Sequence, residues 1–527
     1  MAPVISWVEV IGAFCVIWIL KIKESSRCMY ISTLKLLNFR SFKGEQEFHF
    51  TDGKNFVVGN NNVGKTTIFE AVDFLFNDLK RNQEIDYLIN NESKNKEMYV
   101  MITFSDLSDE IKESKRLKPY VTDNGTLTLI RGNQVPTIDT KGKHVISNHK
   151  TLLYQNADSH EFYNPTGINN ATKPYFDPTI VYANDHNEDY QDFKTSGLLG
   201  KLLKLEAKDL LDSDEFKVVQ QKFNDLIEQD GGLQSHLSSL KEFMEKSIAD
   251  QFGKVSLNFN FEIPAMDSII KNGRVFAKDK NGEQDISEKG SGLQRALTLA
   301  VIQAYATFAK KADAMQFFID EPELYMHPIA QDNLLNALDE LSKQDNQIFL
   351  NTHSPYILRH FNSERDSVVI LSNDSNEQRV RQMESLIFRP TSIGEITYKA
   401  FGVPTVDLHQ RLYNFIENKV IYEDKSQVMK KGRYRKVNSE VLFSDYLDQN
   451  YKELLTYKDF RSRFTKNSNN NGWASIKCYP LPYIVRNEID HPDVYLEDDT
   501  GTNDFKEENL KESIQELFKI YDKEFTK

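Results

Sequence analysis

"NFVVGNNNVGKTT", residues 55–67, decides how the rest of the chain is read. An apolar run leads into a glycine-rich loop, and "IFEAVDFLF" follows it. The loop fits G-x-x-x-x-G-K-[ST], with Gly59, Gly64, Lys65 and Thr66 in the required places. Glycines at both ends let the backbone curl, so that the N–H groups from Asn60, Asn61, Asn62 and Val63 through Gly64, Lys65, Thr66 and Thr67 point inward at a polyphosphate. Lys65 is long enough to reach β- and γ-phosphates, and the Thr66 hydroxyl suits Mg²⁺. The following apolar residues have helical spacing, which rests the anion on a helix N-terminus. A chance glycine-rich turn has no need of every motif position between a strand and a helix. The stretch reads as a nucleoside triphosphate site.

The 527 residues give room for about two to four domains with ample core. A formal charge of -13 argues against a surface coated for nucleic acid, though not against a local basic groove. Cys15, Cys28 and Cys478 are scattered and form no metal-ligand cluster, which suits a reducing cytoplasm. Residues 1–28 contain "VISWVEVIGAFCVIWIL", short for a spanning helix and interrupted by Glu9, with its basic residues on the wrong side for a secretory signal. The expectation is an extension outside a folded domain that begins at Met29; a membrane anchor and a packed extra helix are the alternatives.

Strand-like segments alternate with the loop and its helix over residues 30–105, followed by polar strands and turns to about 185. Residues 190–252 turn helical, but Gly231-Gly232 interrupts them and no heptad pattern persists, so a compact lobe is expected rather than a coiled-coil arm. Strand texture returns at "KVSLNFNFEI". Beyond about 395 the chain is mostly helical and more charged, with linker-like "KNSNNNG" at 466–472.

"MQFFIDEPELYMHP" is a hydrophobic strand that ends in Asp320-Glu321. Asp320 is placed to hold a metal ion beside the loop lysine, and Glu321 to polarise the attacking water. "QIFLNTHSPYIL" repeats the design and ends at His353, a candidate sensor of the γ-phosphate. "SEKGSGLQRALTLAVIQAY" opens a helix at Ser291-Gly292-Leu293-Gln294, a second anion site. One chain hardly needs two γ-phosphate sites, whereas two chains related by a two-fold axis do, each presenting its Ser291 helix to the other's nucleotide.

The ordered set resembles the ABC-type ATPase heads of the RecF, structural-maintenance-of-chromosomes and Rad50 group. "LNFRSF" is similar to the group's first strand, whose Arg40 the resemblance places near the nucleotide. "GSGLQRA" resembles a variant signature sequence, and "DEPELYMHP" with "NTHSP" is most similar to the OLD (overcoming lysogenization defect) ATPases and related phage-defence ATPases. The resemblance covers about residues 30–360 and implies ATP and Mg²⁺ as cofactors and an ATP-bridged dimer of heads. Leu293 replaces a usual glycine, and no glutamine-loop residue stands out. A Toprim nuclease needs a glutamate and a DxD pair at strand ends, which "VVILSNDSNEQRV" does not supply.

"PLPYIVRNEIDHPD" carries Arg486-Asn487 and His491, an R-x4-H pattern that resembles HEPN ribonucleases, in which the His performs acid/base chemistry and the Arg steadies a phosphate. Pro482 and Pro492 crowd it, and a structural or partner-docking segment is the plainer reading. Basic "KKGRYRK", 430–436, offers contact with DNA or RNA, Tyr434 stacking; solvated loop is the alternative.

The expected fold is α/β: an ABC-type P-loop head formed by lobes 29–189 and 253–395, with a helical insertion at 190–252 and a mostly helical C-terminal domain at 396–527. The leading function is the ATPase subunit of a defence system of Septu-, PARIS- or retron-associated type, which regulates a nuclease effector encoded nearby. The alternatives are a RecF-like DNA repair ATPase and an ATPase-controlled HEPN-like ribonuclease in cis.

Overall fold

The computed structural model describes residues 29–79, 83–94, 96–139, 141–164, 178–182, 199–200, 202–203, 213–228, 237–252, 256–257, 273–279, 282–308, 315–324, 326–343, 346–374, 377–382, 386–388, 391–423, 446–460, 477–490 and 507–525. Residues 1–28, "KVSLNFNFEI" apart from 256–257, the basic run 430–436, the linker 466–472 and His491 therefore lie outside the described residues.

The first strands are β1 (Tyr30–Leu37), β2 (Glu45–His49), β3 (Lys54–Gly59), β4 (Tyr99–Ser105), β5 (Leu127–Gly132), β6 (Val135–Ile138), β7 (His144–Ser147), β8 (Leu153–Gln155), β9 (Phe162–Tyr163) and β10 (Thr179–Val181). After them come β11 (Phe276–Asp279), β12 (Gly282–Asp285), β13 (Gln316–Asp320), β14 (Gln347–Thr352), β15 (Ser367–Asp374), β16 (Glu377–Gln382), β17 (Tyr457–Phe460) and β18 (Lys477–Pro480). Two large sheets result. One is ordered β10-β13-β14-β3-β15-β16 and is parallel except for β16; the other is ordered β2-β1-β4-β5-β8-β9-β6-β7 and is largely antiparallel.

Side-chain alternation explains how the layers stack. In the parallel sheet Val57, Phe318, Phe349, Val369 and Leu371 face one core, and Phe56, Val58, Phe317, Ile319, Ile348, Leu350, Val368 and Ile370 face the other. Strands covered on both faces need continuous apolar runs, which is what "FVV", "FFI" and "IFL" supply. The first core is shared with Ile68, Phe69, Val72 and Leu75 of the Lys65–Asn77 helix and with Leu34, Leu36, Val100, Ile102 and Phe104 of the antiparallel sheet. The phosphate-loop helix is thus clamped between the sheets, with the Phe318 and Phe349 rings stacked 4.1 Å apart beneath it. The opposite face is covered by Leu334, Leu335, Leu338 and Leu341 of the Pro328–Lys343 helix.

Helices Asp214–Glu228 and Ser238–Phe252 fall within the expected insertion. Helices Val406–Glu423, Leu481–Asp490 and Glu507–Phe525 dominate the C-terminal part, joined by the paired strands β17 and β18, whereas helix Ile393–Phe401 packs Ile396 and Ala400 into the core of the parallel sheet. That part has a core of its own around Leu408, Leu412, Ile416, Leu481, Val485, Ile514 and Leu517. Among the described residues, no helix is long and apolar enough to cross a membrane.

Candidate nucleotide site

Register brings the chemistry together. Asp320 at the end of β13 pairs with Asn351 of β14, Asn351 pairs with Val57, and Leu371 of β15 pairs with Gly59, so four parallel strands present their C-terminal tips at one edge. In open α/β sheets this edge is where ligands bind. Gly59 is required there: at φ 151 its added Cβ would meet the Leu371 carbonyl oxygen at 2.2 Å. Gly64 caps the helix in the left-handed region at φ 95, and buried Val63 pins the loop while Asn60, Asn61 and Asn62 remain exposed. Asn62 also takes a positive φ, 61°.

Lys65 reaches back across the loop, and its Nζ donates to the Asn60 carbonyl at 2.9 Å. Burial lowers its pKa, and the charges of Glu321, Asp320 and Glu323 push the other way. Thr66 Oγ1 donates to Asp320 Oδ2 at 3.2 Å. Asn351, fully buried, donates from Nδ2 to Asp320 Oδ1 at 2.5 Å and lies 3.5 Å from Thr66 Oγ1. Thr67 follows inside the helix, and its hydroxyl accepts from Ser41 Oγ at 3.3 Å. The hydroxyl and carboxylate oxygens of Thr66 and Asp320 are hard donors of the kind Mg²⁺ requires, so the residues present fit that ion.

Glu321 turns away from the strand with φ 44, and its backbone N–H donates to the Asn351 carbonyl at 2.8 Å. His353 Nδ1 lies 3.1 Å from Glu321 Oε1, an ion-pair approach rather than a directional hydrogen bond. Both candidate catalytic side chains therefore share one spot beside the loop lysine.

Arg40 is the residue whose setting the sequence hides. The strand stops at Leu37, and Asn38 and Arg40 both take positive φ, 49° each. The guanidinium pairs with Glu70 of the loop helix, donates to Tyr87 Oη at 3.0 Å and lies 4.8 Å from the Tyr87 ring centre. A cavity of about 270 Å³ opens there, lined by Arg40, Glu70, Asp73, Tyr87 and Tyr182 together with Thr66 and Asp320. Tyr182 follows β10, the neighbour of β13, and its hydroxyl donates to Asp73 at 3.3 Å. Asn351, Glu70, Asp73, Tyr87 and Tyr182 carried no motif signal; only "NT" ahead of His353 hinted at the first.

The Ser291–Phe308 helix packs on the Pro328–Lys343 helix, and Gln294 turns back on its own segment, donating to Ser287 and Lys289 carbonyls at 3.0 and 2.8 Å. Gly292 lies in the same first turn as Ser291. In the C-terminal part, Arg486 pairs with Asp490 at 3.3 Å and lies 5.4 Å from the Tyr413 ring centre, while buried Asn487 donates to the Tyr483 carbonyl at 2.9 Å. Arg486 and Asn487 are thus engaged within their own unit.

The model of the AAA ATPase domain family matches residues 29–358, more than half of the chain. The chain belongs to the AAA ATPase domain family. Old nuclease of Escherichia phage P2 is 28% identical over 350 residues, covering 62% of this ATPase chain and 57% of the relative. Endonuclease GajA of Bacillus cereus is 23% identical over 444 residues, covering 69% and 64%. The chain thus spans about three fifths of the length of these curated relatives. A solved SmcHead bound to the C-winged helix domain of ScpA aligns with a TM-score of 0.42 and 18% identity, covering 67% of this chain and 97% of that one.

Proposed function

We propose that this chain is the ATP-hydrolysing subunit of an anti-phage defence complex, in which the nucleotide state holds or releases a nuclease effector carried on a separate chain. The observation that carries the ATPase half is the convergence of Lys65, Thr66, Asp320, Glu321, Asn351 and His353 at the tips of three adjacent strands. The nuclease link is supported by the likeness to Old nuclease and endonuclease GajA, and the defence role by the resemblance of "DEPELYMHP" and "NTHSP" to phage-defence ATPases.

The loop N–H groups and Lys65 bind the β- and γ-phosphates, the γ-phosphate taking the place of the Asn60 carbonyl on Nζ. Thr66 and Asp320 hold Mg²⁺, which when bound offsets phosphate charge; Asn351 keeps the Asp320 carboxylate aimed. Glu321 accepts the proton of the attacking water, and His353 beside it marks the presence of the terminal phosphate. Arg40 faces the same cavity from the side of Glu70 and Tyr87. A second copy contributes Ser291, Gly292 and Gln294 at its helix N-terminus, so two ATP molecules are sandwiched between two heads.

The test is Glu321→Gln in saturating ATP, read by light scattering. The variant should retain ATP, turn it over at least about a hundredfold more slowly and accumulate as a dimer. A variant that hydrolyses at the wild-type rate, or stays monomeric with ATP bound, refutes the scheme.

A further inference from the structure

Glu323 stands two residues beyond the proposed base and has no role in the scheme above. Its side chain is buried, at 7% exposure. Oε1 accepts a hydrogen bond from Thr352 Oγ1 at 2.5 Å, and Oε2 is buried with no partner. Burial pushes its carboxyl above the usual range, with Glu321 adding to the push; the Thr352 bond and the nearby His353 pull the other way.

The placement is more telling than the burial. Glu323 belongs to the turn that carries Glu321, and its carbonyl is fixed there by Met326 N–H at 3.1 Å and Gln331 Nε2 at 3.4 Å. Thr352 belongs to the tip of β14 that carries His353, and its hydroxyl also accepts the Ser354 N–H at 3.0 Å. The Glu323–Thr352 bond therefore ties together the two turns across which Glu321 and His353 meet. Glu321 needs such a tie. A non-glycine residue in the left-handed region is strained and persists only where its surroundings over-determine it. Three restraints do so here: the Glu321 N–H on the Asn351 carbonyl, the Leu324 N–H on the Glu321 carbonyl at 3.1 Å, and Glu323 on Thr352, the side-chain tie between the two turns.

We propose that Glu323 is a positioning residue for hydrolysis: through Thr352 it locks the turn after Asp320 against the tip of β14 and so holds Glu321 in line with the terminal phosphate. The proposal rests on Glu321 being the base. It requires a hydrogen-bond acceptor at Oε1 and no charge, so the uncharged isostere should serve at position 323 and fail at 321.

The experiment measures steady-state hydrolysis and ATP affinity in the full chain. Glu323→Ala should lower kcat by about thirtyfold while KM moves by less than about twofold, because aim is lost and binding is not. Glu323→Gln should recover kcat to within about threefold of wild type, a rescue that Glu321→Gln does not show. Thr352→Val, which keeps the shape and removes the hydroxyl, should reproduce the Glu323→Ala defect, and the double variant should be no worse than either single one. If Glu323→Ala does not fold, the Gln and Val variants decide the matter. Wild-type kcat in Glu323→Ala or Thr352→Val overturns the proposal; so does a Glu323→Gln as inactive as Glu321→Gln, which would make the charge the working part. A wild-type chain that does not hydrolyse ATP overturns the parent scheme along with it.

Discussion

At the tips of β3, β13 and β14, buried polar side chains bond to one another and open onto a cavity; in the C-terminal unit they are sealed between helices. His409 and Ser513, both without exposure, meet at 2.9 Å between the Val406–Glu423 and Glu507–Phe525 helices. Glu395 is equally buried and accepts from the Ile387 and Phe388 N–H groups at 2.7 and 3.1 Å and from Lys399 at 2.8 Å. Glu516 accepts from the Thr456 N–H at 2.7 Å. These groups stitch separate segments together, Glu395 at the border with the parallel sheet's core, and they leave His409 Nδ1 and Glu516 Oε2 buried without a partner. The difference teaches what burial alone does not. A buried polar group is poised for chemistry when it shares partners with others at an open edge, and is structural when it crosslinks a closed core.

The contrast is breakable, beginning where the effect should be largest. Lys65→Ala removes charge-assisted bonds to the phosphates, worth about 4 kcal/mol or roughly a thousandfold in affinity, with little change in melting. Titration with a fluorescent ATP analogue checks it; unchanged affinity would empty the site of its main cation. Gly59→Ala should cost on the order of 3 kcal/mol of stability as well as nucleotide binding, because the Cβ collides with the Leu371 carbonyl. Denaturant unfolding of a fully stable Gly59→Ala chain would show that the loop has slack.

His409 supplies the opposite kind of test, since it should affect stability and not turnover. Burial, with the Arg486 charge nearby, drives its pKa down to about 3. The unfolded chain titrates this histidine near 6.5, so below that pH the unfolded state takes up a proton that the folded state refuses. Stability from this group is therefore complete above about pH 6.5 and falls by about 1.4 kcal/mol per pH unit on acidification toward 3. His409→Gln should flatten the stability profile between pH 6.5 and 5 relative to wild type. Parallel profiles in the two proteins would mean that the imidazole is not sealed.

The smallest effect is expected at Arg486. Because it is spent on Asp490 and Tyr413, Arg486→Ala should leave ATP hydrolysis within about twofold and lower stability by on the order of 1 kcal/mol. The purified chain with ATP, Mg²⁺ and total RNA should cleave nothing. Arg486-dependent RNA cleavage would move the C-terminal unit to the chemical side of the comparison.

Sequence alone determined the nucleotide end to a large degree. A loop that curls around phosphate needs glycines, a lysine and a threonine at fixed spacing, and a strand that delivers Asp320 must be apolar along its length; both requirements are local and leave a pattern. The same logic gave the α/β class and a mostly helical C-terminal part. Asn351 and Glu323 lie inside quoted motifs but their roles were not legible, and Tyr87 and Tyr182 left no pattern at all, because each matters through a partner far away in the chain: Asp320 for Asn351, Thr352 for Glu323, Arg40 for Tyr87, Asp73 for Tyr182. Tertiary structure also decided what a motif could not, that Arg486 and Asn487 face their own helices. Spacing along a chain encodes what one strand or one turn must do, whereas a hydrogen bond between strand tips exists only after the sheet has set its register.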